Sequence, residues 1–91
     1  MDKEKEMIRR NIELSSEFSR YLFEHPEIEA KIPAEAEIVL LPAFDRDLKE
    51  FNLRMGKEME SEGGRVAYIV IESMRPKTLS RIEKIELSSV S

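Results

Sequence analysis

The feature that most constrains the fold is a pair of apolar runs with a helix-like segment between them, all within residues 36–72. The first run is IVLL at residues 38–41, and the second is VAYIVI at residues 66–71. Unbroken apolar runs of this length are typical of strands that are covered on both faces. We therefore predict a strand-helix-strand unit, whose two strands lie parallel and are joined by a right-handed crossover.

The segment between the runs carries its own start and stop signals. Asp45 is the preferred N-cap, and Asp47 with Glu50 offers the alternative of a capping box. Gly63-Gly64 is the left-handed stop expected after a helix. The apolar residues recur at helical spacing, with Gly56 as a tolerated weak point, at Leu48, Phe51, Met55 and Met59.

Residues 1–24 are predicted to form an amphipathic helix, which Asp2 caps and Pro26 ends. The stripe predicted to be buried consists of Ile8, Ile12, Phe18 and Leu22, with Met7 and Tyr21 at its edges. Leu14 and Phe23 lie off this stripe, as apolar residues of a dimerisation surface would.

Two tetrads within the predicted helices open with asparagine, NIEL at Asn11 and NLRM at Asn52. The similarity has two interpretations. It arises by chance, or the two helices present their amides toward each other.

Two strands alone make a poor sheet, so another segment must complete it. The C-terminal tail is the first candidate: Leu79, Ile82 and Ile85 have helical spacing, whereas Ile85 and Leu87 alternate like a strand. Of these alternatives we favour an edge strand at residues 82–87. The second candidate is a symmetry mate that places its own strand or helix alongside.

The predicted fold class is α/β: a small two-layer α-β-α-β domain whose short parallel sheet is completed by a C-terminal edge strand or by dimerisation. We expect one domain over residues 1–91, with a helix at 1–24, the strand-helix-strand unit at 36–72 and a tail at 73–91. A chain of 91 residues is near the small end of what folds alone, which favours self-association.

Composition argues against several classes of function. The 19 acidic and 15 basic residues give a net charge of −4 and are interspersed, which argues against a nucleic-acid partner. The absence of cysteine excludes disulfides, thiolate metal sites and a cysteine nucleophile. No apolar run approaches the roughly 18 residues of a membrane span, and the charged N-terminus does not resemble a signal peptide. We expect a cytoplasmic protein without a membrane partner, and its richness in Lys and Glu is a pattern of thermophile proteins.

Polar side chains at the ends of the two predicted strands form the candidate ligand-binding site. Asp45 and Asp47 follow the first strand, and Ser73, Arg75 and Lys77 follow the second. The carboxyl ends of parallel strands meet at one edge of a sheet, where α/β proteins bind ligands. Two carboxylates near a basic cluster would suit a phosphate or a divalent cation. The competing interpretation makes Asp45 a helix cap and Arg75 its ion-pair partner.

The single histidine, His25, lies between two glutamates, which favour its protonated form. A general base or a metal ligand is one interpretation, but a lone histidine without a second ligand at suitable spacing favours a surface turn. No serine is accompanied by the turn of a hydrolase nucleophile, and no phosphate-binding glycine loop is present. We therefore assign no catalytic residue, no metal site and no cofactor.

Three stretches together resemble a family of small uncharacterised proteins from archaea and thermophilic bacteria, known as a domain of unknown function. They are NIELSSEFSRYLFEHPE at residues 11–27, IPAEAEIVLLP at 32–42 and VAYIVIE at 66–72, and the helix start at Asp45 adds to them. The most distinctive positions are Asn11, Leu14, His25, Pro26, Glu27, Pro33, Pro42, Asp45 and Asn52. The resemblance covers roughly residues 11–72 and leaves the tail outside. It implies a small cytosolic prokaryotic protein and no established activity.

The function expected from these observations is a non-catalytic protein-interaction or regulatory module that acts as a homodimer. The alternative is a small-ligand or nucleotide- and phosphate-binding protein with its site at the strand ends.

Overall fold

The computed structural model describes residues 2–77 and 80–90. Its elements in chain order are α1 (Lys3–Glu24), α2 (Pro26–Glu29), β1 (Glu37–Pro42), α3 (Arg46–Ser61) and β2 (Val66–Ile71). The two strands are parallel, with Glu37 opposite Val66 and Pro42 opposite Ile71. The predicted α/β class and the strand-helix-strand unit are confirmed.

Helix α1 begins where the sequence indicates, and Phe18 and Leu22 of the predicted stripe pack in or against the core, but the other half of the stripe does not. The Asp2 carboxylate accepts a hydrogen bond from the Glu4 N–H at 3.0 Å, so Asp2 is the N-cap. The buried residues are Met7, Leu14 and Phe18, whereas Ile8 and Ile12, predicted to be buried, are 48% and 68% exposed. At about 100° per residue, Ile8 and Ile12 lie roughly 100–140° around the helix from Met7. The apolar residues of α1 thus form two neighbouring stripes, and spacing alone does not tell which one faces the core.

The core joins both long helices to the strands. Leu40 of β1 packs in one buried cluster with residues of α1 and with Leu48 of α3. The cluster consists of Met7, Leu14, Phe18, Leu40 and Leu48, with Leu22, Ile32, Phe51, Ile69 and Ile71 packed against it. Seven hydrophobic residues are buried in the part of the chain that the structure describes.

Helix α3 confirms the predicted start and stop. The Asp45 carboxylate accepts from the Leu48 N–H at 3.2 Å, so Asp45 is the N-cap rather than Asp47. At the other end, Gly63 has a φ of 89°, the left-handed conformation that glycine adopts without strain. Gly56 is more than a weak point of this helix. It is buried against β2, and a Cβ atom there would lie 2.7 Å from Cε1 of Tyr68.

The tail does not supply the third strand, so the predicted edge strand at residues 82–87 is wrong for the single chain. Residues 80–90 form neither helix nor strand, and Ile82, Ile85 and Leu87 are 66%, 79% and 79% exposed. The physical reason is that an alternation of two apolar residues cannot form a strand without a sheet edge beside it. Instead, the Lys77 ammonium lies 3.0 Å from the Glu13 carboxylate of α1. Leu79, part of the alternative helical pattern, lies outside the described residues.

No helix in the described ranges has both the length and the apolar character that a membrane crossing requires.

Candidate functional site

The Asp45 carboxylate makes two contacts within the fold, one to α3 and one to α1. Besides capping α3, its two carboxylate oxygens lie 3.3 Å from Nη1 of Arg10 on α1. Its ion-pair partner is therefore Arg10, not Arg75. Asp45 fastens the beginning of α3 to α1, which is a structural role.

The other four strand-end residues are spread over the surface. Asp47 is exposed in the first turn of α3, and Ser73, Arg75 and Lys77 are exposed after β2. Lys77 reaches Glu13 on α1, and this contact lowers the pKa of the Glu13 carboxyl. Among residues 2–77 and 80–90, no hydrogen bond or ion pair joins Asp45 or Asp47 to the three residues after β2. Ligand binding by these five residues stays a prediction.

His25 ends α1, where its ring stacks on that of Tyr21 with centroids 4.2 Å apart. Its Nδ1 lies 3.2 Å from the Glu27 carboxylate. The contacts are those of a residue that packs at a helix end. In the described ranges, no group of three or more His, Asp or Glu side chains is arranged to hold a metal ion.

Asn11 and Asn52 form a partly buried polar link between α1 and α3. Nδ2 of each amide donates to Oδ1 of the other, and both distances are 2.8 Å. Asn52 also donates to the carbonyl oxygen of Leu40 at 2.8 Å, and it is 1% exposed. Of the two interpretations of the asparagine tetrads, the one in which the helices present their amides to each other is confirmed.

The backbone hydrogen bonds between β1 and β2 show which residues direct their N–H and C=O groups outward. The Glu37 N–H donates to Arg65 C=O and the Ala43 N–H donates to Ile71 C=O, both at 2.9 Å. In a parallel ladder, backbone groups alternate between the two sides of a strand. Odd-numbered residues of both strands therefore bond across the pair, and even-numbered residues direct their N–H and C=O groups outward.

The outer edge of β1 is covered at Leu40 and Pro42. Asn52 occupies the outward carbonyl of Leu40, and Pro42 has no N–H to offer. Asn11 lies beside Asn52, so α1 and α3 meet along this edge. A further strand cannot add here without displacing the asparagine pair.

The outer edge of β2 is free in the described structure. Val66, Tyr68 and Val70 direct their N–H and C=O groups away from β1, and no backbone group in residues 2–77 or 80–90 pairs with them. The strand contains no charged residue and no proline, which are two of the devices that protect sheet edges in natural proteins. The Val70 side chain is 58% exposed. This edge is a template for an added strand.

One polar cluster joins β2 to α3. The Tyr68 hydroxyl donates to the Glu60 carboxylate, and Lys57 Nζ lies 3.5 Å from Glu60 Oε2 and 5.5 Å from the centre of the Tyr68 ring. The hydrogen bond to Glu60 is the main reason that the pKa of Tyr68 is raised to about 12, and desolvation adds to it. The same bond lowers the pKa of Glu60. The cluster fixes Tyr68 against α3 and leaves its backbone groups directed to the free edge.

A second unpartnered surface is an open groove between α1 and α3, with a volume of about 450 Å³. It is bordered mainly by apolar side chains, namely Ile8, Ile12, Phe51 and Met55, together with Glu4, Asn11 and Ser15. The sequence assigned Ile8 and Ile12 to the core and therefore missed this groove. It also missed Arg10, because nothing in the spacing distinguishes that cation from the other charged residues of α1.

Comparisons with known proteins find a family and no nearer relative. The model of a protein family of unknown function matches residues 6–85. The curated proteins and the solved structures contain no match to the chain.

Proposed function

The chain belongs to DUF5647, a family of unknown function, and we propose that it is a non-catalytic protein-interaction module that acts as a homodimer. The observation that carries the proposal is the free edge of β2. Strand addition at a sheet edge is a common mode of protein recognition, in which backbone hydrogen bonds provide affinity. The outward N–H and C=O groups of Val66, Tyr68 and Val70 are the groups that such a partner would use.

The size of the core supports an associating protein. Seven buried hydrophobic residues in the described chain, in and around a two-stranded sheet packed on its helices, make a small core. Small domains bury a smaller fraction of their surface than large ones, so they gain more from association. A partner strand would add both backbone pairing and apolar contact.

The test is the oligomeric state of three variants, measured by sedimentation equilibrium at micromolar concentration. Val70→Lys places a charge at the free edge, where natural proteins use lysine to prevent pairing. We expect a dimer of the 10.6 kDa chain and a monomer for Val70→Lys. Leu53→Lys, on the exposed side of α3, is the matched control and stays dimeric.

Ile12→Lys tests the competing surface, the groove between α1 and α3. We expect this variant to stay dimeric as well. A monomeric wild-type chain would refute the homodimer, and a dimer that is lost only in Ile12→Lys would move the interface from the β2 edge to the groove.

A further inference from the structure

We propose that the strand that fills the free edge of β2 is residues 82–87 of a second copy, so that two chains exchange their C-terminal strands. The inference rests on the homodimer proposed above and names the segment that forms it. Its starting point is that the free edge and the unpaired tail belong to the same chain.

The tail matches the edge in length and composition. Residues 82–87 form a six-residue segment, as does β2, and residues 80–90 contain neither proline nor glycine. Ile85 and Leu87 alternate with charged residues, as in a strand with one apolar face. These two side chains and Ile82 are largely exposed in the single chain. Strand addition would cover Ile85 and Leu87, which share one face of the strand, and would pair the outward backbone groups of β2.

The tail of the single chain does not fill the edge of its own sheet. After β2 the Lys77 ammonium lies 3.0 Å from the Glu13 carboxylate of α1. No backbone group of residues 80–90 pairs with β2 in the described structure. The edge therefore stays open in the single chain, and we assign it to the tail of a second copy.

The family match also includes part of the tail. It extends to residue 85, well beyond the end of β2 at Ile71. The segment that contains Ile82 and Ile85 therefore belongs to the domain that the family shares. The family model would not be expected to match a tail that lies outside the shared domain.

Reciprocal exchange gives a closed assembly. Each tail would occupy the β2 edge of the other copy, so the two contacts are related by a two-fold axis and the assembly closes at two chains. Each sheet would then contain three strands instead of two.

The main experiment mixes ¹³C-labelled and unlabelled full-length chains and records isotope-filtered NOEs, which report only contacts between copies. We expect NOEs from the methyl groups of Ile85 and Leu87 to Tyr68 and Val70 of the other copy. NOEs between Val70 of the two copies would instead show that the β2 strands pair edge to edge. Contacts of Ile85 with β2 that appear in the unfiltered NOE spectrum but not in the filtered one would show that the tail folds back on its own chain. Either result overturns the exchange.

A set of variants provides a second readout by sedimentation equilibrium. The double variant Ile85→Asp/Leu87→Asp should be monomeric, and the matched control Ser88→Asp/Ser89→Asp should stay dimeric. Val70→Pro removes an N–H that points to the free edge and none that bonds to β1, so it should also be monomeric while circular dichroism keeps its helical signal.

The outcomes separate the two proposals. A dimer that survives Ile85→Asp/Leu87→Asp but not Val70→Lys would refute the exchange and keep the homodimer at the β2 edge. A wild-type chain that is monomeric would refute both.

Discussion

The side-chain amides of Asn11 and Asn52 exchange two hydrogen bonds of 2.8 Å and so join α1 to α3. Asn52 uses its remaining N–H on the outward carbonyl of Leu40, which completes its donors and occupies its acceptor. A buried polar group with all its partners specifies one arrangement of the elements around it. The pair thus fixes where the helices meet and which edge of the sheet is covered.

Removing Asn52 should destabilise the fold because two partners lose their hydrogen bonds. Asn52→Leu leaves the Leu40 carbonyl and the Asn11 amide unpaired, and a buried unsatisfied group costs about 1–3 kcal/mol in the free energy of unfolding. Urea unfolding of the wild type and the variant measures this loss.

A double-mutant cycle isolates the amide pair itself. With Asn11→Ala, Asn52→Ala and the double variant, we expect a coupling free energy of about 0.5–3 kcal/mol, because residues in direct contact are not additive. Additive losses would mean that the two amides do not depend on each other.

Gly56→Ala should destabilise the protein even though alanine is the better helix former. In an exposed helix interior the change gains about 1 kcal/mol. Here the new Cβ would lie 2.7 Å from Cε1 and 2.9 Å from the hydroxyl of Tyr68, so the ring must move away from Glu60. We expect a lower free energy of unfolding and a lower tyrosine pKa in an ultraviolet titration.

The control for this prediction removes the ring. In a Tyr68→Val background, Gly56→Ala has space for its methyl group and should become stabilising. A destabilisation of equal size in both backgrounds would show that Tyr68 is not the cause.

Local signals were sufficient to predict much of the fold. Asp45 and Gly63-Gly64 mark the ends of α3 because capping and left-handed geometry depend on a few neighbouring residues. The apolar runs that form β1 and β2 are likewise visible without tertiary information. The asparagine pair was suggested by the two tetrads, although sequence alone left chance as an equal interpretation.

What depends on tertiary packing was not predictable. The two apolar stripes of α1 have the same period, and only contact with Leu40 and Leu48 shows that the stripe with Met7 is buried. Arg10 is one cation among many until the fold brings it to Asp45. The alternation of Ile85 and Leu87 predicted a strand, but a strand forms only beside a sheet edge. In the single chain the tail does not lie beside the edge of β2.

Asp45→Ala should lower the free energy of unfolding for two reasons, the loss of the helix cap and the loss of the ion pair with Arg10. Loss of the N-cap costs about 0.5–2 kcal/mol, and loss of the partly exposed ion pair with Arg10 adds about 0.2–1 kcal/mol. Asp45→Asn keeps the cap, because asparagine caps as well as aspartate, and should lose only the second contribution. Urea unfolding at low and high salt distinguishes them, since salt screens the ion pair.

Asp47→Ala is the matched control for this prediction. It lies in the same first turn and loses only a favourable helix-dipole interaction, about 0.3–1 kcal/mol. Equal losses for Asp45→Ala and Asp47→Ala would contradict the capping role of Asp45.

Glu6 should make the protein lose stability as the pH falls into the acid range. Its carboxylate accepts hydrogen bonds from Arg9 at 2.6 and 3.1 Å and from Arg10 at 3.1 Å. These hydrogen bonds lower the pKa of Glu6 from 4.5 to about 2, and the bond from Arg9 contributes most. A carboxyl whose pKa is lower in the folded state contributes stability that is complete above its unfolded pKa and is lost as the pH falls through the folded value. The free-energy difference between wild type and Glu6→Gln should therefore shrink between about pH 5 and pH 2.

Carboxyl ¹³C NMR provides the direct measurement of this effect. Arg9→Ala should raise the pKa of Glu6 toward its ordinary value, because it removes the strongest of the hydrogen bonds. Arg20→Ala, which removes the partner of Glu17 on the same helix, should leave the Glu6 titration in place. If Glu6 titrates near 4.5 in the wild-type chain, the arginines do not hold it as the contacts indicate. The acid instability would then have to come from other carboxylates, and Arg10 would contribute to the fold through Asp45 alone.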